Sequence, residues 1–259
     1  MKKTYIGTSW KMNKTLDQSL LFCEQFKKHL ITDLQQQIQP FIIPPFTTVR
    51  EVTNTIKNNQ INCLIGVQNM HFEDTGAFTG EISPIMVKDT GAYLVEIGHS
   101  ERREFFGETD LTVHKKVRAA LKHGLKPLVC IGDSAQEKAW NISAETVIKQ
   151  MKAAIFGLHQ EQIQQVIIAY EPIWAIGENG IPATAEEAET IHKKLREALT
   201  DLYGKEIADN IHLLYGGSVN SSNCAELINQ PNIDGLFIGR SAWQADSFCN
   251  ILSIINRSI

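Results

Sequence analysis

Apolar residues come in short runs along this chain, at 5–9, 41–43, 62–67, 92–97, 125–131, 166–170, 211–215 and 235–238. The eight runs recur at an average step of about 33 residues, the size of one strand–helix repeat unit. Several are apolar at nearly every position, such as Val-Ile-Ile-Ala-Tyr at 166–170. Strands buried on both faces read that way, and parallel sheets produce them. Helical patterns lie between the runs. Leu16, Leu20, Cys23 and Leu30 suit one stripe of a helix in the first connector. Thr184 and Glu187 fit a capping box, with Ala188, Ile191 and Leu195 following at helical spacing.

Eight strands alternating with helices predict a (β/α)8 barrel, which occupies about 250 residues as a single domain, here 1–259. A doubly wound open sheet is the alternative, since it alternates in the same way. No linker, low-complexity tract or charge run divides the chain. The glutamine-rich stretch at 35–39 is expected to be an exposed loop.

Composition narrows the chemistry. The chain has 25 Lys and Arg against 29 Asp and Glu, a net charge of −4. No global positive field exists for nucleic acid or an anionic membrane, so an anionic ligand must be held by local groups. Cys23, Cys63, Cys130, Cys224 and Cys249 are scattered, with no C-x-x-C pair. That usage, with no signal-like apolar segment near the N-terminus, predicts reduced thiols and a cytoplasmic protein. No run approaches the length of a membrane span.

In a barrel of this kind the working groups sit just past the strands. Lys11 follows the first run, His99 the fourth and Glu171 the sixth. Each alone is more often a surface lysine, a satisfied histidine or a loop-capping carboxylate. The seventh run ends in Gly216, Gly217 and Ser218, the eighth in Gly239 and Arg240. Such glycines let backbone N–H groups approach a phosphate, although either pair alone reads as a tight turn. The chain lacks a nucleophile elbow, a P-loop, a strand-linked dinucleotide fingerprint and H-E-x-x-H. One carboxylate, one imidazole, one ammonium and a glycine-built cradle together predict proton transfer beside the carbonyl of a phosphosugar. That chemistry needs neither cofactor nor metal. A Schiff-base aldolase would need a lysine deep at a strand end, and Lys126 begins its run on the opposite side. A catalytically silent binding barrel also stays open, because fold does not imply function.

Six stretches carry a family resemblance. They are Trp-Lys-Met-Asn at 10–13, Gly-Ala-Phe-Thr-Gly-Glu-Ile-Ser at 76–83, Gly-His-Ser-Glu-Arg-Arg at 98–103, Cys-Ile-Gly at 130–132, Tyr-Glu-Pro-Ile-Trp-Ala-Ile-Gly at 170–177 and Tyr-Gly-Gly-Ser at 215–218. Over essentially its whole length the chain resembles the triosephosphate isomerase family. The established chemistry of that family uses a Glu base, a neutral His electrophile and a closing loop. The resemblance implies that Glu171 is the base, His99 the electrophile and Lys11 the charge beside the substrate. Glu101 would support Lys11. Residues 172–183 would form the lid, with the Gly177 backbone reaching the phosphate beside Ser218, Gly239 and Arg240. Thr79 would lie on the loop that enters a second subunit, which implies a homodimer.

Three departures stand out. The family usually has Asn where this chain has Ser9. The lid, Ala-Ile-Gly-Glu-Asn-Gly-Ile-Pro-Ala-Thr, is one residue longer than usual, and Pro182 stiffens its far hinge. The last cradle turn usually reads Gly-Gly, and here it is Gly239-Arg240. Replacing Asn by Ser9 frees room for one more hydroxymethyl group. The expected substrate is L-erythrulose 1-phosphate, giving D-erythrulose 4-phosphate, with dihydroxyacetone phosphate and D-glyceraldehyde 3-phosphate as the alternative pair. Gly-Thr-Ser-Trp-Lys-Met-Asn, Glu-Asn-Gly-Ile-Pro and Ile-Gly-Arg-Ser-Ala-Trp resemble the branch of the family that acts on that tetrulose in erythritol catabolism, rather than in glycolysis and gluconeogenesis.

Overall fold

A computed structural model describes residues 2–31, 33–176 and 182–259. Eight parallel strands close on themselves: β1 Thr4–Ser9, β2 Ile38–Ile43, β3 Leu64–Val67, β4 Leu94–Ile97, β5 Lys126–Ile131, β6 Ile167–Tyr170, β7 His212–Tyr215 and β8 Gly235–Ile238. Each pairs with its sequence neighbour, and β1 pairs with β8 (Tyr5 beside Gly235), so the sheet has no edge. That closure excludes the open doubly wound sheet.

Alternate residues along each strand face opposite ways. One set fills the lumen: Tyr5, Phe41, Ile43, Leu94, Leu128, Cys130, Ile167, Ala169, Leu214 and Phe237. The other set, including Ile6, Ile42, Val95, Val129, Ile168 and Leu236, packs outward against the helices. Both faces of the sheet are therefore buried, which is why its strands read as continuous apolar runs.

Two expectations need correction. β2 begins at Ile38, so the end of the glutamine-rich stretch is strand, not loop. Gln39 is buried at the lower end of the barrel, where its amide donates to Asn62 Oδ1 at 3.3 Å and to the Pro40 carbonyl at 3.2 Å. The first helix, Leu16–His29, buries Ser19, Phe22, Cys23 and Phe26, and leaves Leu16 exposed. Ser19 is compact, and its hydroxyl donates to the Thr15 carbonyl, so it fits a close packing face despite its polarity. The capping box is as the sequence implies. Thr184 Oγ1 accepts from the Glu187 amide, and Glu187 Oε2 accepts from the Thr184 amide, opening the helix Ala185–Tyr203. Among the described residues no helix is long and apolar enough to cross a membrane.

Candidate active site

The chain leaves β1 with Ser9 and Trp10 buried and enters an unusual backbone conformation at Lys11, whose φ is +53°. A lysine in the left-handed region is strained and persists only where its surroundings hold it. Here the Trp10 amide donates to the Ile43 carbonyl, Gln68 Nε2 donates to the Lys11 carbonyl, and Asn13 Nδ2 donates to the Trp10 carbonyl. The turn aims the ammonium at Glu101 Oε1, 2.6 Å away. Burial works against this charge. The hydrogen bond and charge of Glu101, with the charges of Glu171 and Glu96, outweigh it and hold Lys11 above its ordinary value.

Glu101 has a second task. Its backbone N–H donates to His99 Nδ1 at 3.1 Å, where His99 caps the helix Ser100–Phe105. A ring nitrogen that accepts carries no proton, so the imidazole hydrogen resides on Nε2. Nε2 lies 3.4 Å from Glu171 Oε1.

Glu171 follows β6 and is only 3% exposed, with no hydrogen-bond partner for Oε2. Its neighbours on both sides are glycines for a steric reason. A Cβ on Gly132 would lie 2.2 Å from the Glu171 carbonyl oxygen, and one on Gly216 would lie 2.8 Å from Glu171 Cγ. The ends of β5 and β7 are thus bare so that this carboxylate can sit between them. Below it, burial and the charges of Glu171 and Glu96 push the Cys130 thiol well up, which keeps it protonated. Glu171 lines the cleft, and a buried carboxylate at its edge is suited to abstracting a proton.

These groups open into a cleft of about 730 Å³ lined by Ser9, Lys11, His99, Glu101 and Glu171 on one side, and by Gly216, Gly217, Ser218, Gly239 and Arg240 on the other. The sequence-predicted residues therefore converge, with two exceptions. Gly177 lies outside the described residues. Thr79 does not line the cleft, and sits exposed on the loop between β3 and the helix Pro84–Asp89. Among the described residues no cluster of His, Cys, Asp or Glu is placed to hold a metal ion. Lys126 lies at the start of β5, at the end of the barrel away from the cleft, where it is out of reach for a Schiff base with a ligand there.

Two residues escaped the sequence reading. Asp133, fully buried, accepts from Tyr170 Oη at 2.8 Å, Ser143 Oγ at 2.6 Å and Trp174 Nε1 at 3.1 Å, and its carbonyl accepts from the Ile173 amide. It clamps the near end of the expected lid. Glu96, on β4, accepts from Ser9 Oγ at 2.8 Å. The available signal for it was parity: it shares the inward face with Leu94, and a carboxylate inside a barrel needs a partner.

The family model for triosephosphate isomerase matches residues 4–255. The chain is 48% identical over 258 residues to an L-erythrulose-1-phosphate isomerase of Rhizobium etli, covering 98% of this chain and 93% of that protein. It is 48% identical over 256 residues to the enzyme of the same name from Mesorhizobium japonicum, covering 98% of each. A third, from Mycolicibacterium smegmatis, is 48% identical over 250 residues, covering 96% of this chain and 92% of that protein. With a closed eight-stranded barrel, a site at the carboxyl ends of its strands and a match along nearly its full length, the chain is an isomerase and belongs to the triosephosphate isomerase family.

Proposed function

We propose that this isomerase interconverts L-erythrulose 1-phosphate and D-erythrulose 4-phosphate. The observation that carries the reaction class is the meeting of Glu171, His99 and Lys11 in one cleft. The Glu171 carboxylate takes the proton from C3 of the ketose. The C–H electron pair becomes the C2=C3 bond, and the carbonyl oxygen gains negative charge. His99 Nε2–H and the Lys11 ammonium stabilise that oxygen and its neighbour across the enediolate. His99 carries the O3 hydroxyl proton to O2, the carbonyl re-forms at C3, and the proton returns from Glu171 to C2. Atoms and electrons balance without a cofactor. Ser218, Gly239, Arg240 and Gly177 hold the phosphate at the ends of β6 to β8. Glu101 keeps Lys11 charged.

The substrate rests on two supports. The relatives that match this chain over nearly its whole length carry the tetrulose-phosphate name, and Ser9 leaves space where an asparagine would stand. This reading assigns the enzyme to erythritol catabolism. The triose alternative would assign it to glycolysis and gluconeogenesis. A silent binding barrel would have no need of all three converging groups.

We read the chain as a single-domain cytoplasmic homodimer. Met12 after β1, Phe78, Ile85 and Met86 after β3, and Phe105 and Phe106 after β4 are exposed at neighbouring parts of the barrel rim, and Thr79 lies among them. A second copy would cover these apolar groups.

The test is kcat/KM for dihydroxyacetone phosphate and for L-erythrulose 1-phosphate, measured side by side. Preference for the tetrulose supports the assignment. Preference for the triose by orders of magnitude makes the three departures tolerated variation.

A further inference from the structure

Glu96 is a buried charged group next to the cleft and does not line it. It is 3% exposed, directly beneath Ser9, with Oε2 accepting the Ser9 hydroxyl and Oε1 4.0 Å from His99 Nε2. A buried carboxylate is costly, and an apolar residue would fill this lumen position more cheaply. The proton-transfer steps above do not use it.

Its effect passes through Ser9. An ionised carboxylate can only accept, so the Ser9 hydroxyl must donate downward. The remaining lone pairs of Ser9 Oγ then face the cleft, where they suit a hydroxyl donor and repel a carbonyl or enediolate oxygen. Topology supplies the direction. The phosphate cradle is at β7 and β8, and β4 stands opposite β8 in the ring. Ser9 ends β1, beside β8, and its hydroxyl reaches Glu96 on β4, so Ser9 Oγ lies between the cradle and the opposite wall, along the line of a phosphosugar held by that cradle.

We infer that Glu96 is a positioning residue that fixes Ser9 as an acceptor for the terminal hydroxyl of a four-carbon phosphoketose, the hydroxyl that a triose phosphate lacks. The inference rests on the tetrulose reading and deepens it. Ser9 then selects by an oriented hydrogen bond as well as by space.

A pH signature follows. Ser9 and Lys11 face Glu96 from β1 and its turn, Cys130 from β5, His99 from the loop after β4, and Glu171 from the end of β6. Burial, with the like charge of Glu171 and against the nearby His99, the Ser9 hydrogen bond and the Lys11 charge, pushes the Glu96 carboxyl up to about 7. Once protonated, Glu96 can donate to Ser9, and the fixed polarity is lost. The preference for the tetrulose is therefore highest above neutral pH and declines below it. Effects of pH that both substrates share cancel in the ratio.

The experiment is the ratio of kcat/KM for L-erythrulose 1-phosphate over dihydroxyacetone phosphate, from pH 5.5 to 8.5, in the parent, Ser9→Ala, Glu96→Leu, the double variant and Glu96→Gln. Ser9→Ala and Glu96→Leu are each expected to lower the ratio at least ~10-fold. The double variant falls no further, because the two residues act as one unit. Glu96→Gln retains an accepting carbonyl, so it keeps the ratio within about threefold and loses its pH dependence. An unchanged ratio in Glu96→Leu, or a Glu96→Gln profile that still bends like the parent's, overturns the inference. Should Glu96→Leu fail to fold, the Glu96→Gln profile decides alone. A parent enzyme that prefers the triose overturns the substrate reading, and the inference falls with it. A parent preference for the tetrulose that survives both single changes overturns the inference only.

Discussion

Lys11, half-buried, and Lys126, buried, stand at opposite ends of one barrel. Lys11, at the carboxyl ends of the strands, meets Glu101 at 2.6 Å and is held above its ordinary value despite its burial. Lys126, at the amino ends, is 7% exposed, and its ammonium stands 5.9 Å from the Tyr5 ring centroid. Burial alone pushes it down to about 8. His212 shares this lower end, with neither ring nitrogen hydrogen-bonded, and burial first, then the charge of Lys2, pushes it to about 4. Tyr5, against both, is pushed up to about 12, chiefly by burial. Titration is displaced as far at the lower end as at the upper. Displacement therefore does not mark the site. The upper end is distinguished by a cleft that admits a ligand, lined by Lys11, His99, Glu101 and Glu171 together. An isomerase of anionic substrates needs its lysine kept charged, and of these two lysines it is Lys11 that has a carboxylate to do that.

The sharpest way to break this contrast is Glu171→Gln. The amide fills the same space between Gly132 and Gly216 but cannot take a proton. We expect kcat to fall by ~10³–10⁴ with the fold intact by circular dichroism. Activity within tenfold of the parent would remove Glu171 from the base position. Next in size is Lys11→Met, which leaves Glu101 and the His99 cap in place and deletes the charge. We expect kcat/KM to fall by ~10², with KM rising as well as kcat falling, because the ammonium meets both the bound anion and the enediolate. A change confined to KM would restrict Lys11 to binding.

How much of this was legible in the sequence differs between the same two regions. All eight strands were visible, because a parallel barrel buries both faces of every strand and so writes unbroken apolar runs. Glu171, His99 and Lys11 stood just beyond three of those runs, flanked by short motifs. Gln39, and with it the true start of β2, was hidden because a glutamine that points into a lumen and bonds Asn62 looks like a loop residue until Asn62 is brought to it. Ser19 was passed over for Leu16 and Leu20 because hydrophobicity ranks leucine above serine, whereas close helix packing selected the smaller side chain. Glu96 was the costliest omission. Leu-Val-Glu-Ile reads as a strand with one polar interruption, and its partner Ser9 lies 87 positions away in sequence. Long-range pairing of this kind is set by barrel closure, which no local pattern encodes.

Lys126→Met tests the lower end, and its effect is the smallest because it should touch stability alone. The side chain sits about 13 Å down the strand from Cys130, at ~3.3 Å per residue, so kcat/KM for either substrate should stay within twofold of the parent. Stability should move with a definite sign. In the unfolded chain the ammonium titrates near 10.5, and in the folded protein at about 8. Below pH 8 both states carry the proton, and the fold bears the whole cost of burying the charge, about 3 kcal/mol. Between pH 8 and 10.5 the folded protein releases its proton first, and that cost fades. Methionine removes the cost but also gives up the contact with the Tyr5 ring, worth roughly 1 kcal/mol. The net gain at pH 7 is therefore about 2 kcal/mol, or a rise in Tm of roughly 5 °C, shrinking toward zero as the pH passes 10.5. Thermal melts across that range measure it. A loss of stability at pH 7 would mean that the ammonium is paired in solution, and the two lysines would then no longer differ in the way that separates a site from a buried charge.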